Sequence, residues 1–284
     1  MFKTVNSLSG GKTSSYIAAN YPADYDVFAL VRTDDKDCMF PDAKIRQMVS
    51  DKLGVDFIGT LEDDTIIYTI LDLEQYIGRE ITWVTGKTFD DTIKKYKMSN
   101  GGYYLPNKMT RYCTTDMKTI PIAEWRHKNI EGDVEMRFGY RANETKRATK
   151  MLEKLNSNGM TEVKIIVGNK NGRNKWKDIE YCKPSFPLIE DNIYKDKIEL
   201  YWEDKQVRFA YMNNCIGCWW RSPLLLKKMS DKHPNKMQWF ANMEKKAGST
   251  FRSDVNYQEI IKWKTQVELF EEDFNDCDSG YCGL

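Results

Sequence analysis

Apolar residues recur along this chain in two rhythms. Short runs at Val5 to Leu8, Val27 to Arg32, Phe57 to Gly59 and Val134 to Phe138 read as strands. Each precedes a stretch of helical period: a helix from Thr13, then Ala43 to Leu53, Ile66 to Tyr76 and Glu144 to Leu155. This alternation predicts βαβ units, and so an α/β fold with a mostly parallel sheet covered by helices on both faces. After Pro187 the pattern turns mainly helical, with Ile193 to Glu203, Leu224 to Met229, Lys236 to Lys245 and Tyr257 to Phe270 as the expected helices. Residues 1–185 therefore read as an α/β core and 186–284 as a helical extension, the two forming one cooperative unit with a soft boundary. Ser99 to Pro106 reads as a loop, and Asn275 to Leu284 as a loop-like tail.

The stretch Ser7-Leu8-Ser9-Gly10-Gly11-Lys12-Thr13-Ser14-Ser15 changes this picture most. It orders a strand, a small glycine-rich loop and a helix start, which turns backbone N–H groups toward one point. Gly10 and Gly11 permit close approach, and Ser9, Thr13 and Ser14 can add hydroxyl donors. A phosphate is the expected occupant. Gly11-Lys12-Thr13 matches the end of a Walker A loop, but Asn6 stands where that loop needs its first glycine, so the match fails. In a parallel sheet, ligands sit beyond the carboxyl ends of strands, where both this loop and the Gly139-Tyr140-Arg141 turn fall.

Composition narrows the classes. Hydrophobic residues make up 41% and aromatics 13%, which excludes wholesale disorder. Basic residues number 43 against 42 acidic ones, so no global field recruits nucleic acid or membrane. One local basic stretch, Lys164 to Lys177 with Trp176 inside it, reads as a solvated loop or hairpin in preference to an RNA-contacting patch. An apolar signal core is missing and no apolar run reaches membrane-spanning length, so a cytoplasmic protein is expected, with no membrane partner. Its seven cysteines are then thiols, metal ligands or redox groups. His127 and His233 are the only histidines, and both read as structural.

Three further stretches carry chemistry: Arg111 to Pro121 with Cys113, Gly139-Tyr140-Arg141-Ala142-Asn143-Glu144-Thr145-Lys146-Arg147, and Cys215-Ile216-Gly217-Cys218. A strand ending in glycine and followed by Arg141, Glu144 and Arg147 offers close backbone approach and cationic groups to a polyanion. Glu144 can cap the next helix or orient an arginine. Two thiolates at the Cys215/Cys218 spacing can bind one metal or two atoms of a cluster. Cys38 and Cys182 read as buried thiols.

Ser9 to Ser14 resembles the pyrophosphate loop of the adenine nucleotide α-hydrolase (PP-loop ATP pyrophosphatase) superfamily. With the other three stretches, in order and over most of the chain, the sequence resembles the phosphoadenosine phosphosulfate (PAPS) reductase family, which includes sulfur-inserting relatives of the DNA-phosphorothioation type. The resemblance implies a Rossmann-like core that binds ATP with Mg²⁺. Ser7, Ser9, Gly10, Gly11, Thr13, Ser14, Gly139 and Glu144 would bind the nucleotide, with Thr33 beside adenine in Val31 to Asp34. Lys12, Arg141 and Arg147 would act on the phosphates. Cys113 matches the first cysteine of the family's cluster-binding pair, the second being Thr114 here. This implies a [4Fe–4S] cluster on Cys113, Cys215, Cys218 and Cys282, with Cys277 as the substitute; zinc suits the same thiolates.

The implied reaction is adenylation of an acceptor by ATP with release of pyrophosphate, followed by sulfur transfer from a persulfide-carrying protein or through the cluster. The acceptor stays open between nucleic acid and a small molecule, and a homo-oligomer stays open too. Two other readings stand beside it. Tyr281-Cys282-Gly283-Leu284 resembles a truncated reductase tail, which implies a thiol-dependent PAPS or adenylylsulfate reductase using Cys282. A non-enzymatic nucleotide-binding module with a structural zinc site is the other.

Overall fold

A computed structural model describes residues 3–264 of the chain; Cys277 and Cys282 lie outside the described residues. In chain order the elements begin β1 (Lys3–Leu8), α1 (Lys12–Asn20), β2 (Tyr25–Leu30), α2 (Ala43–Leu53), α3 (Thr65–Ile77) and β3 (Ile81–Thr85). There follow α4 (Phe89–Thr92), α5 (Tyr112–Thr114), α6 (Ile120–Asn129), β4 (Val134–Arg137), α7 (Thr145–Leu152), β5 (Thr161–Lys170) and β6 (Arg173–Ser185). The helices α8 (Pro187–Glu190), α9 (Lys195–Trp202), α10 (Pro223–Lys232), α11 (Pro234–Ala247) and α12 (Tyr257–Lys262) complete the described chain.

Among the described residues six strands form one sheet in the order β3-β2-β1-β4-β6-β5. β1 runs parallel to β2 and β4, and β4 runs parallel to β6. β5 joins the edge antiparallel to β6. The fold is thus α/β and Rossmann-like, with a helical C-terminal region. Both sheet faces are covered, because side chains alternate across each strand. Val5, Val27, Val134 and Met136 pack with Ile122 and Ala123 of α6. The alternate residues Asn6 and Asp26 face the other way, where Asn6 donates to Asp26 and Arg79 bridges Asp26 to the Ala18 carbonyl of α1.

The chain divides into two compact units, and the division does not fall at one point near residue 185. The first holds residues up to Ala29, Thr65–Gly86 and Lys118–Tyr211, which include the sheet and both α8 and α9. The second holds Leu30–Asp64, Lys87–Met117 and the described residues from Met212 to Lys264. Its core is aromatic, built around Phe89, Trp219, Trp239, Phe240, Phe251 and Tyr257. Local signals set its helix ends: Asp42 caps α2, Ser222 caps α10 ahead of Pro223, and Asn256 caps α12.

One expected strand is absent and one unexpected strand is present. Phe57 to Gly59 is not a strand; Gly59 makes isolated bridges to Thr33 and Met39, while Phe57 packs its ring on Phe40. Those local contacts satisfy an apolar run that the sheet does not need. The sheet instead takes Ile81–Thr85, a five-residue edge strand whose two threonines mask its apolar character. The basic stretch after Lys164 does form a hairpin, turning at Asn171 and Gly172.

Candidate functional site

In the first unit, the chain leaves β1 to build β2 and β3 on one side, then returns to lay β4 on the other. That reversal makes the carboxyl ends of β1 and β4 a switch point, the position at which open α/β sheets take their ligands. β1 ends into Ser9-Gly10-Gly11, and Gly11 stands as N-cap of the nine-residue α1 with no side-chain cap. The first-turn N–H groups of α1 are therefore presented without a side-chain acceptor from the cap. Gly10 has φ +74°, and a Cβ there would come within 2.5 Å of the Ile66 Cγ2. Only glycine satisfies both conditions.

The hydroxyls brace the loop. Ser14 Oγ accepts from the Ser9 N–H at 3.1 Å, lies 3.1 Å from Ser9 Oγ, and donates to the Gly11 carbonyl at 3.1 Å. Thr13 lies in the first turn of α1, and Ser7 sits one residue before the end of β1, opposite Val27. From the β4 side, Gly139 closes on the same turn: a Cβ there would stand 3.4 Å from Thr13 Cγ2 and 3.6 Å from the Ser14 nitrogen.

Five residues beyond Gly139, Glu144 gathers two cations. Its Oε2 accepts from the Arg141 N–H at 2.9 Å and from Arg141 Nε at 3.2 Å. Its Oε1 accepts from Arg147 at 2.5 Å. The Arg147 guanidinium also stacks 4.1 Å from the Tyr140 ring centroid, and Tyr140 stacks on Phe186. Glu144 therefore both caps and orients, as either reading of the sequence allowed. Glu144 thus fixes two guanidinium groups at this turn, the donor geometry by which arginines bind phosphate oxygens.

Lys12 points to α9, where its ammonium donates to Glu199 and the Trp202 indole donates to the Lys12 carbonyl at 3.0 Å. Sequence pattern offered no signal for Glu199, which lies 187 residues away on an unremarkable polar helix position.

The second unit holds Thr33 and the cysteines Cys38, Cys113, Cys215 and Cys218, while Cys182 lies on β6 in the first. Thr33 donates its hydroxyl to Asp90 at 2.6 Å, and Asp90 also accepts from the Asp34 N–H and the Trp239 indole. Asp90 was not anticipated. His233 lies 3.3 Å from Asp63, and His127 is exposed at the end of α6 in the first unit. Cys38 and Cys182 are buried, and burial pushes each thiol up to about 12.

Cys215-Ile216-Gly217-Cys218 forms a tight turn, with the Cys218 N–H donating to the Cys215 carbonyl at 3.0 Å. A Cβ on Gly217 would meet the Phe240 ring at 2.5 Å, and Tyr257 donates to the Gly217 carbonyl at 2.7 Å. Arg221 wraps this turn, donating to the carbonyls of Asn213 and Cys215. Cys113 and Cys218 are buried in the same apolar cluster, against which Cys215 packs. Among the described residues no three metal-ligating side chains are grouped to hold a metal ion.

The donor set nevertheless fits a thiolate-bound, negatively charged group. Arg221 is only 3% exposed, yet its Nε and one terminal nitrogen have no hydrogen-bond partner among the described residues. The Trp219 indole and two nitrogens of Arg111 are orphaned likewise. Orphaned buried donors next to thiols are what sulfur acceptors would satisfy. Arg111 and Arg221 lie within three residues of Cys113 and Cys218 in sequence.

No protein-family model, curated protein or solved structure matches this chain.

Proposed function

We propose that the chain is an ATP-dependent adenylating enzyme of the PP-loop type, related to the PAPS reductase family and coupled to sulfur transfer. One observation carries the reading: an α1 N-terminus without a side-chain cap, closed by Gly139 and followed by the Arg141–Glu144–Arg147 cluster, all within the first unit. That combination recognises a polyphosphate. The α1 amides and Lys12 would take the β,γ-phosphates of Mg·ATP, and Arg141 and Arg147 would stabilise charge on the departing pyrophosphate. An acceptor oxygen attacks the α-phosphorus, the α–β bridging bond breaks, and pyrophosphate leaves with the electron pair. The acceptor carries AMP, which makes its oxygen a leaving group for a sulfur nucleophile. Positioning and electrostatics are the protein's share of this step.

Cys113, Cys215 and Cys218, with Cys282 or Cys277 as the fourth, would hold a [4Fe–4S] cluster, with Arg111 and Arg221 donating to its sulfurs. Such a group supplies electron transfer or sulfur handling when bound. The same thiolates suit zinc, which would confine them to a structural role.

Two measurements on one sample test the reading: anaerobic purification with visible absorption and iron, sulfide and zinc analysis, then pyrophosphate release from ATP in the presence of candidate acceptors. Brown protein with about four irons and acceptor-dependent pyrophosphate are expected. Absence of ATP and pyrophosphate binding would overturn the site assignment. Stoichiometric zinc would overturn the cluster alone.

A further inference from the structure

The β5–β6 hairpin supplies no residue to the candidate phosphate site. Near the sheet, Val163, Ile165 and Ile179 of this ribbon are buried with Ile122 and Ala123 of α6. Beyond that, every residue from 168 to 178 is exposed. The turn is formed by Asn171 at φ +52° and Gly172 at φ +75°, a two-residue turn whose twist matches that of the ribbon. The arm is therefore ordered by backbone pairing and holds no core of its own.

Its charges are sorted by face. Alternate residues of a strand share a face, and so do directly paired residues of neighbouring strands. Arg173, Lys175 and Lys177 therefore share the face that Ile179 continues toward α6. Lys170 is paired with Arg173, and Gly168 with Lys175, which leaves that face low on the opposite strand. The reverse face carries Trp176 opposite Ile166, Asn174 opposite Asn169, and Lys164 opposite Asp178, the last an ion pair at 3.8 Å. Residues 165–177 contain no aspartate or glutamate. Lys170, Arg173, Lys175 and Lys177 pair with no carboxylate among the described residues.

This segregation stands out in a chain of net charge +1. Like charges placed directly opposite each other, as Lys170 and Arg173 are, weaken a hairpin, and a polyanion relieves that repulsion. Successive cations along β6 stand about 7 Å apart, two residues at strand rise. A row of fixed cations at that spacing addresses a series of phosphates and not one. The tip adds an open concavity lined by Lys170, Asn171, Arg173, Asn174 and Lys175.

We propose that the β5–β6 hairpin is an arm that docks on duplex DNA, with Lys170, Arg173, Lys175 and Lys177 on the phosphates bordering the major groove. A two-stranded ribbon enters a groove about 12 Å wide, whereas the major groove of an RNA duplex is too narrow and deep. Single strands are held by aromatic platforms among the cations, and here Trp176 lies on the opposite face. Backbone contacts of this kind carry no sequence preference. The proposal stands independently of adenylation, since its readout involves no ATP.

Fluorescence anisotropy of the full chain with a labelled duplex of about 20 base pairs, from about 50 to about 200 mM NaCl, tests it. Wild-type protein is expected to bind regardless of sequence and to weaken steeply with salt. The Arg173→Ser/Lys175→Ser/Lys177→Ser variant should lose about tenfold or more at the low salt, with a log–log salt slope shallower by about 2–3. Its melting temperature should match wild type, since all three positions are exposed. Lys164→Ser, on the reverse face, should bind as wild type does. Failure of the wild-type chain to bind duplex DNA would overturn the proposal, as would undiminished binding by the triple variant. So would tighter binding of single-stranded DNA, duplex RNA or polyglutamate.

Discussion

Gly139 lies against Ser14 at the first turn of α1, where a Cβ would stand 3.6 Å from the Ser14 nitrogen. That is ordinary contact distance, so the fold has room for a methyl group. A branched side chain has further atoms to place, and they cover the first-turn amides. Gly139→Val should therefore keep its melting temperature within a few degrees while binding of ATP or pyrophosphate falls about tenfold or more, the value of one charge-assisted hydrogen bond. Calorimetric titration checks it; unchanged affinity would place the phosphates elsewhere.

Gly10 predicts the opposite balance. Its left-handed φ and the 2.5 Å approach to Ile66 make Gly10→Ala a strained, overpacked substitution in the core. A loss of about 1–3 kcal/mol in urea unfolding is expected, along with nucleotide binding.

Removing Glu144 strips both arginines of their shared carboxylate. Arg141 is almost fully buried, so Glu144→Ala should cost about 3–5 kcal/mol. Arg147→Ala, at the more open side of the cluster, should cost less stability and show mainly in phosphate affinity. Chemical unfolding beside pyrophosphate titration separates the two effects.

Lys12 is held by Glu199 across a partly exposed pair, 33% and 37% open to solvent. Glu199→Gln should release the ammonium and remove a charge that repels phosphate. Because such pairs are worth at most about 1 kcal/mol, ATP should bind roughly two- to fivefold tighter. Weaker binding would mean that Glu199 positions Lys12 for the phosphates.

One pH effect follows from the second unit. Burial raises the Glu244 carboxyl to about 6, although the N–H groups of Phe251 and Tyr257 donate to it. The folded state therefore holds its proton more tightly than the unfolded chain, whose value is near 4.5. The resulting stability is fully present below pH 4.5 and is lost as pH rises through about 6. Glu244→Gln should flatten the stability profile across that window, measured by urea unfolding at stepped pH.

The loop at Ser9 to Ser14, the Gly139 turn and the cysteine pair were legible because each is local. Glycines at a strand end, a helix start and a C-x-x-C spacing act over a few residues, where the chain itself supplies the geometry. Strand–helix alternation likewise gave the parallel sheet, since period reports burial. The β5–β6 hairpin was legible only as a basic stretch, because facing depends on the pairing register. The role of Ser14 inside its own loop was not visible, because a hydroxyl serves the backbone or a ligand with the same composition.

Residue order by itself determined the strand–loop–helix that leaves the first turn of α1 without a side-chain cap, and the caps and glycines that bound the helices. Tertiary structure decided the rest: that Glu199 holds Lys12, that Asp90 takes the Thr33 hydroxyl, that Phe57 stays out of the sheet while Ile81–Thr85 enters it, and that four cations share one face of a ribbon. Each of these joins residues distant in sequence or sets a pairing register. Such contacts form only once burial of the cores has overcome the entropy of bringing the segments together, and no local pattern encodes them.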